Sequence, residues 1–147
     1  ISVWPPEYFK LILMFQKEVA ERILAKYNTA NYGRLSIVSN WRLKIIDHFD
    51  VSKNCFHPKP KVNSSVVIFE PKVNNSYIIK DIINLEKVTQ IFFSNRRKMI
   101  NKSFKKLFGD NQNINKIIKV DLTNRPSNLK PEDFYRMTEY YESGLNT

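Results

Sequence analysis

The stretch Asn54-Cys55-Phe56-His57-Pro58-Lys59-Pro60-Lys61-Val62-Asn63-Ser64-Ser65-Val66-Val67-Ile68-Phe69-Glu70-Pro71 constrains the fold more than any other. Pro58 and Pro60 remove two backbone donors and push the residues before them into extended geometry, so its first half cannot be a helix interior. From Val62 to Phe69 the β-branched residues read as a strand. A stiff loop carrying Phe56, His57, Lys59 and Lys61 therefore feeds straight into a sheet. An aromatic ring beside lysines on a rigid loop suits the holding of a nucleic-acid base. The same residues also suit an ordinary turn whose Phe56 plugs the core.

Charge separates the function classes further. The 147 residues hold 24 Lys+Arg against 14 Asp+Glu, a net charge of +10. The excess is concentrated: residues 51–108 carry 12 basic and 3 acidic side chains, while the segments on either side are near balance. A clustered excess of this kind points to a polyanion, most often nucleic acid; a lysine-rich solvated surface is the simpler explanation. The single Cys55 excludes an intramolecular disulfide, and with only His48 and His57 beside it no metal site is expected. The composition fits a reducing, cytoplasmic setting. No apolar run reaches membrane-spanning length, and no signal peptide is visible. Gly33, Gly109 and Gly144 are the only glycines and lie far apart, so no glycine-rich cofactor loop can form. The chain opens on Ile1 and is expected to be a fragment whose upstream part is missing.

Periodicity predicts the elements. Trp4-Pro5-Pro6 is an extended opening, and residues 8–15 form a nearly continuous apolar strand that wants cover on both faces and hints at a larger parallel sheet. An amphipathic helix runs from Gln16 to Lys26, with Val19, Ala20, Ile23 and Leu24 on one face and a Glu18–Arg22 pair on the other. A second helix starts at Gly33-Arg34, with Leu35, Val38 and Trp41 at helical spacing. Ile45 to Val51 is a strand expected to pair antiparallel with Val62 to Phe69. Residues 72–76 break both periodicities and form a linker. Beyond it the pattern is helical: 83–93, then Arg96 to Phe108 with Met99, Ile100, Phe104 and Leu107 inward and Gly109 as its stop, then 113–120. A last helix starts at Pro131, with Phe134, Met137 and Tyr141 on its apolar face.

On the predicted 96–108 helix, Arg96, Arg97, Lys98, Lys102, Lys105 and Lys106 gather into a broad basic face. Arginine suits bidentate phosphate contact and lysine supplies flexible charge. A solvated helix face would look the same. No catalytic constellation emerges. Cys55 and His57 match a nucleophile and base in composition only, since nothing orients the histidine.

Four blocks then come in the order and spacing of one family: Phe15 to Ile23, Tyr32 to Ser36, Phe56 to Ser64, and Phe92 to Lys98. Together they resemble the ribosomal RNA adenine dimethyltransferases, most closely the bacterial small-subunit (KsgA/RsmA) branch. The resemblance implies an α/β fold: the C-terminal portion of a Rossmann-like S-adenosylmethionine-dependent methyltransferase domain over residues 1–71, including a substrate loop at 54–64, followed by a small all-helical RNA-binding domain over 77–147. It implies transfer of methyl groups from S-adenosylmethionine to N6 of two adjacent adenosines near the 3′ end of small-subunit rRNA, with the assembling 30S subunit as partner. It implies that Phe56 stacks on the target adenine, that His57, Pro58, Lys59, Pro60 and Lys61 line the substrate side, and that Arg34, Arg96, Arg97, Lys98, Lys102, Lys105 and Lys106 touch RNA.

The family's glycine-rich cofactor loop, ribose-binding acid and Asn-Leu-Pro-Tyr motif are absent from these 147 residues. Catalytic and cofactor residues are therefore expected elsewhere, and the chain alone is expected to be inactive. A sheet without its neighbouring strands is expected to leave residues 11–15 bare and to self-associate. A large-subunit (Erm-type) methyltransferase and a non-enzymatic RNA-binding or ribosome-assembly module are the alternatives.

Overall fold

The computed structural model describes residues 7–72, 76–109 and 112–144. The Trp4-Pro5-Pro6 opening and most of the 72–76 linker lie outside these residues. The chain runs β1 (Leu11–Gln16), α1 (Lys17–Leu24), α2 (Arg34–Arg42), β2 (Leu43–Val51), β3 (Ser64–Pro71), α3 (Ile82–Phe93), α4 (Asn101–Phe108), α5 (Gln112–Ile118) and α6 (Pro131–Gly144). Short 3₁₀ turns occur at Lys53–Cys55 and Pro126–Asn128.

The three strands form a sheet in the order β1-β3-β2, with β3 antiparallel to both neighbours. The antiparallel pairing of β2 with β3 is the one the sequence predicts. The parallel sheet hinted at by the apolar 8–15 run is not what the described strands form. The prolines between β2 and β3 leave no room for a crossover helix, which a parallel pair would need. Strand β3 alternates cleanly. Ser65, Val67 and Phe69 are buried, while Val66 and Ile68 between them face the other way. The buried set packs on Ala20 and Ile23 of α1 and on Leu43 of β2, with Phe15 edge-on to Phe69 at 6.4 Å. One extra residue near Ile46 shifts the β2 register between Ile45 and Asp47, a local bulge.

Among the described residues, the cover expected on both faces of β1 is missing from one of them. Ile12 is 64% exposed and Met14 54% exposed. Ile12 and Met14 stand opposite Ile68 and Val66, and Phe49 of β2 is also opposite Val66. Together they make a bare apolar sheet face.

A second core joins α2 to the C-terminal helices. Tyr32, Ile37 and Trp41 pack with Leu85, Phe92 and Phe134 and their neighbours. Phe92 meets Phe134 edge-on at 5.8 Å, and Phe93 stacks on Phe134 at 5.7 Å. The Tyr135 hydroxyl donates to the Ile37 carbonyl at 2.8 Å, which fastens α6 to α2. The inward side of α2 is therefore Ser36, Ile37 and Trp41, with Val38 packed against the same core; of the three residues that spacing predicts inward, Leu35 alone turns out, at 42% exposed. Apolar packing thus groups α2 with elements beyond residue 76, although it lies well before the break at 72–76.

The start of α3 is set by one local and one distant carboxylate. Asp81 caps it locally, its carboxylate accepting from Ile83 N at 2.9 Å. Glu142 of α6, only 4% exposed, accepts from Lys80 N at 2.8 Å, Asp81 N at 3.0 Å and Asn84 Nδ2 at 2.9 Å. An anion there satisfies orphan donors at a helix start. No described helix is long and apolar enough to cross a membrane.

Candidate nucleic-acid interface

The proline loop is held at its base by hydrogen bonds and left open at its tip. Ser52 caps the Lys53–Cys55 turn, its Oγ accepting from Asn54 N at 3.2 Å. Asn63 closes the other end: its Oδ1 accepts from Lys53 N at 3.0 Å, and its carbonyl accepts from Lys17 N, also at 3.0 Å. One asparagine therefore ties both ends of the loop to the start of α1. The His57–Pro58 peptide is cis. His57, Pro58, Lys59 and Lys61 are exposed, and Pro60 is half-buried.

Phe56 is half-buried and belongs to neither core. A core plug would have joined one of them. Cys55 and His57 are both exposed, and no hydrogen bond among the described residues orients the imidazole toward the thiol.

Beside the loop, a cleft of about 400 Å³ is lined by Gln16, Lys17, Glu18, Glu21, Lys53, Lys61, Val62 and Asn63. Its charges are mixed. Lys17 is committed to Asp50 at 2.6 Å, and Ser65 Oγ donates to the same carboxylate at 2.6 Å. Donating a hydrogen bond to Asp50 raises the Lys17 pKa, and the bonds accepted from Lys17 and Ser65 lower that of Asp50. Lys53 and Lys61 line the same cleft and have no carboxylate partner among the described residues, while its Glu18 pairs with Arg22.

The cationic segment is not helical where the sequence predicts. The predicted helix from Arg96 to Phe108 begins only at Asn101; Ser94 to Arg97 are turn. The backbone is diverted by a long-range bond, since Ile100 N donates to the Asn124 carbonyl at 2.9 Å and its side chain is fully buried. Met99, expected inward, is 52% exposed as a result. Ile100 and Phe104 are buried and Leu107 is half-buried, as predicted, and Gly109 ends α4 at φ 71°.

This geometry divides the cluster. The Arg96 guanidinium donates to the Thr29 carbonyl at 3.5 Å and to the Ala30 carbonyl, so it latches the turn to the loop before α2. Arg97, Lys98, Lys102 and Lys106 are exposed and have no carboxylate partner among the described residues. Lys105 is exposed on the same helix. Arg34, the first residue of α2, is exposed at the same end of the molecule. There the Tyr32 ring meets Phe93 at 6.2 Å, and Gly33 lies against Phe93.

Two cationic patches result. The proline loop is tied to α1, whereas the 94–98 turn is tied to the 29–30 segment and α3, and no hydrogen bond among the described residues joins them. Sequence reasoning missed the exposure of Met99 and the cleft beside it. The signal available was the run Asn95 to Asn101, whose two asparagines are poor helix residues flanking three cations.

A family described as "Ribosomal RNA adenine dimethylase" matches residues 6–143. The chain is 46% identical over 132 residues to a protein named ribosomal RNA small subunit methyltransferase A from Pelagibacter ubique, covering 90% of this chain and 50% of that protein. It is 42% identical over 135 residues to the protein of the same name from Mesorhizobium japonicum, covering 92% and 47%. The chain thus spans about half the length of the curated relatives it matches. Among solved structures it is similar to a dimethyladenosine transferase from Plasmodium falciparum, with a TM-score of 0.75 at 28% identity, covering 95% of this chain and 60% of that one. The 23S rRNA methyltransferase ErmE shares the fold, with a TM-score of 0.57 at 18% identity, covering 95% and 57%.

Proposed function

Because the chain belongs to the ribosomal RNA adenine dimethylase family, we propose that it is the RNA-facing part of a small-subunit rRNA adenine N6,N6-dimethyltransferase. In this reading the whole enzyme carries methyl groups from S-adenosylmethionine to two adjacent adenosines near the 3′ end of small-subunit rRNA, on the assembling 30S subunit in the cytoplasm. Residues 1–71 belong to the Rossmann-like methyltransferase domain, and residues 77–147 form the helical RNA-binding domain. The observation that carries the reading is that one continuous family match, residues 6–143, contains both the half-buried aromatic of the proline loop and the exposed cations of the 94–106 segment. The two relatives above, 46% and 42% identical, are named for the small subunit, which favours it over the large-subunit alternative.

Each part of the chain has a physical task. Phe56 offers a ring face to an adenine drawn out of its stack. Unstacking costs a few kcal/mol, and an aromatic platform offsets about 1–3 kcal/mol of it. The loop from His57 to Lys61 lines that site. Arg34, Arg97, Lys98, Lys102, Lys105 and Lys106 meet phosphates, and Arg96 holds the turn that presents them. The bare sheet face at Ile12, Met14 and Phe49 is a self-association surface for the isolated chain. Sedimentation at micromolar concentration is expected to give dimers or larger, and a clean monomer would reject that role.

The residues present do not fit S-adenosylmethionine. Gly33 opens α2, Gly109 closes α4 and Gly144 ends α6, so no two glycines build a loop around a nucleoside. No transfer step is assigned to this chain. The test is to incubate the chain with labelled S-adenosylmethionine and immature small subunits while measuring RNA binding separately. Binding of the rRNA without methyl incorporation is expected. Failure to bind RNA, or methyl incorporation by the chain alone, would overturn the assignment.

A further inference from the structure

The cleft between the 95–98 turn and the first turn of α4 encloses about 280 Å³ and is lined by Asn95, Lys98, Met99, Asn101, Lys102 and Ser103. Its frame is fixed. Ser103 is 6% exposed and its Oγ donates to the Ile91 carbonyl at 3.3 Å. Lys98 N closes the turn on the Asn95 carbonyl at 2.9 Å, and Ile100 anchors the segment in the core.

The lining is chemically mixed in a telling way. Met99 brings an exposed, polarizable apolar side chain to the cleft. Lys98 and Lys102 add two ammonium groups, and no carboxylate lines the cleft. The two amides are each half used. Asn95 Nδ2 donates to Ser94 Oγ at 3.3 Å, which leaves its oxygen as an acceptor. Asn101 Oδ1 accepts from Lys102 N at 2.7 Å, which leaves its NH₂ as a donor. One acceptor and one donor together match the mixed edges of a nucleobase. A bare anion would have no use for Met99, and an apolar peptide would have no use for two unpaired cations.

We propose that this cleft holds one unpaired nucleotide of the bound RNA. Its base lies on Met99 and is read by Asn95 and Asn101, and its phosphate meets Lys98 and Lys102. The proposal rests on the RNA-facing reading above and adds to it a site that recognises single-stranded structure.

The test uses the chain carrying ¹³C-methyl methionine. Met14 lies on the sheet face and Met137 is fully buried, so Met99 is the reporter. The titrants are a hairpin from the 3′ end of small-subunit rRNA with an unpaired loop and a fully paired duplex of equal length. The hairpin is expected to shift the Met99 methyl signal saturably, and the duplex to leave it in place. Met99→Ala and Asn101→Ala are each expected to weaken hairpin binding about fivefold without changing its salt slope. Hairpin binding with an unmoved Met99 signal, or equal losses on hairpin and duplex, would overturn the pocket and leave the RNA-facing reading standing. A wild-type chain that binds neither RNA would overturn both.

Discussion

Alanine at Arg97, Lys98, Lys102 and Lys106 together is expected to weaken binding of small-subunit rRNA about a hundredfold near physiological salt, and to flatten the plot of log affinity against log salt by about three. Each of these side chains is exposed and none has a carboxylate partner among the described residues, so each is available to release a counterion from RNA. Arg96 is expected to behave differently. Its guanidinium is spent on the Thr29 and Ala30 carbonyls. Arg96→Ala should therefore cost about 1 kcal/mol of stability and change the salt slope less than Arg97→Ala does. Filter binding over a salt series, with thermal denaturation of the same variants, checks both statements. A salt slope unchanged in the fourfold variant would make the cluster a solvated surface.

Glu142→Ala is expected to cost about 3 kcal/mol and to lower the melting temperature by about 6–12 °C. The carboxylate is buried and accepts three hydrogen bonds from residues 80, 81 and 84, about sixty positions away in sequence. Its removal leaves donors at the start of α3 without their acceptor, inside the core that holds α2, α3 and α6 together. Glu142→Gln keeps one acceptor oxygen and should recover part of the loss. Thermal denaturation of both variants reads this directly, and a shift under about 2 °C for the alanine variant would show that water replaces the carboxylate.

What could be read from the sequence was what is local. The β-branched strand at Val62 to Phe69, the amphipathic stripe of α1 and the proline start of α6 each carry their own local signal, and each forms close to where expected. The departures at residues 96–100 and on α2 share one cause, which is a partner distant in the chain. The run from Arg96 to Phe108 has good helix propensity, but the bond from Ile100 to Asn124 and the burial of Ile100 override its first turn. On α2, Val38 and Trp41 face the core as spacing predicts, but Tyr135 and the second core draw in Ile37 and not Leu35. Nothing around Glu142 marks it as a cap for a helix about sixty residues earlier. The apolar strand at 11–15 announced a need for cover that the described residues do not meet on one face.

At the candidate site the same division holds. The prolines announced a rigid loop, and its lysines and Phe56 stayed accessible. The sequence could not separate Arg96 from Arg97, because only the fold brings the Ala30 carbonyl to one and leaves the other in solvent. Nor could it show the cleft at Met99, which exists because Ile100 is pulled inward and its neighbour is turned out.

The central claim, that this chain presents rRNA to a methyl-transferring half, is tested most directly by a chimera. The half of the Pelagibacter ubique relative that this chain does not match, joined to this chain, is incubated with S-adenosylmethionine and unmethylated small subunits. Dimethyladenosine is then measured by mass spectrometry of the digested rRNA. Dimethylation of two adjacent adenosines is expected, with a loss of about tenfold or more in rate for Phe56→Ala and little change in melting temperature. A folded chimera that binds S-adenosylmethionine and leaves both adenosines unmodified would contradict it.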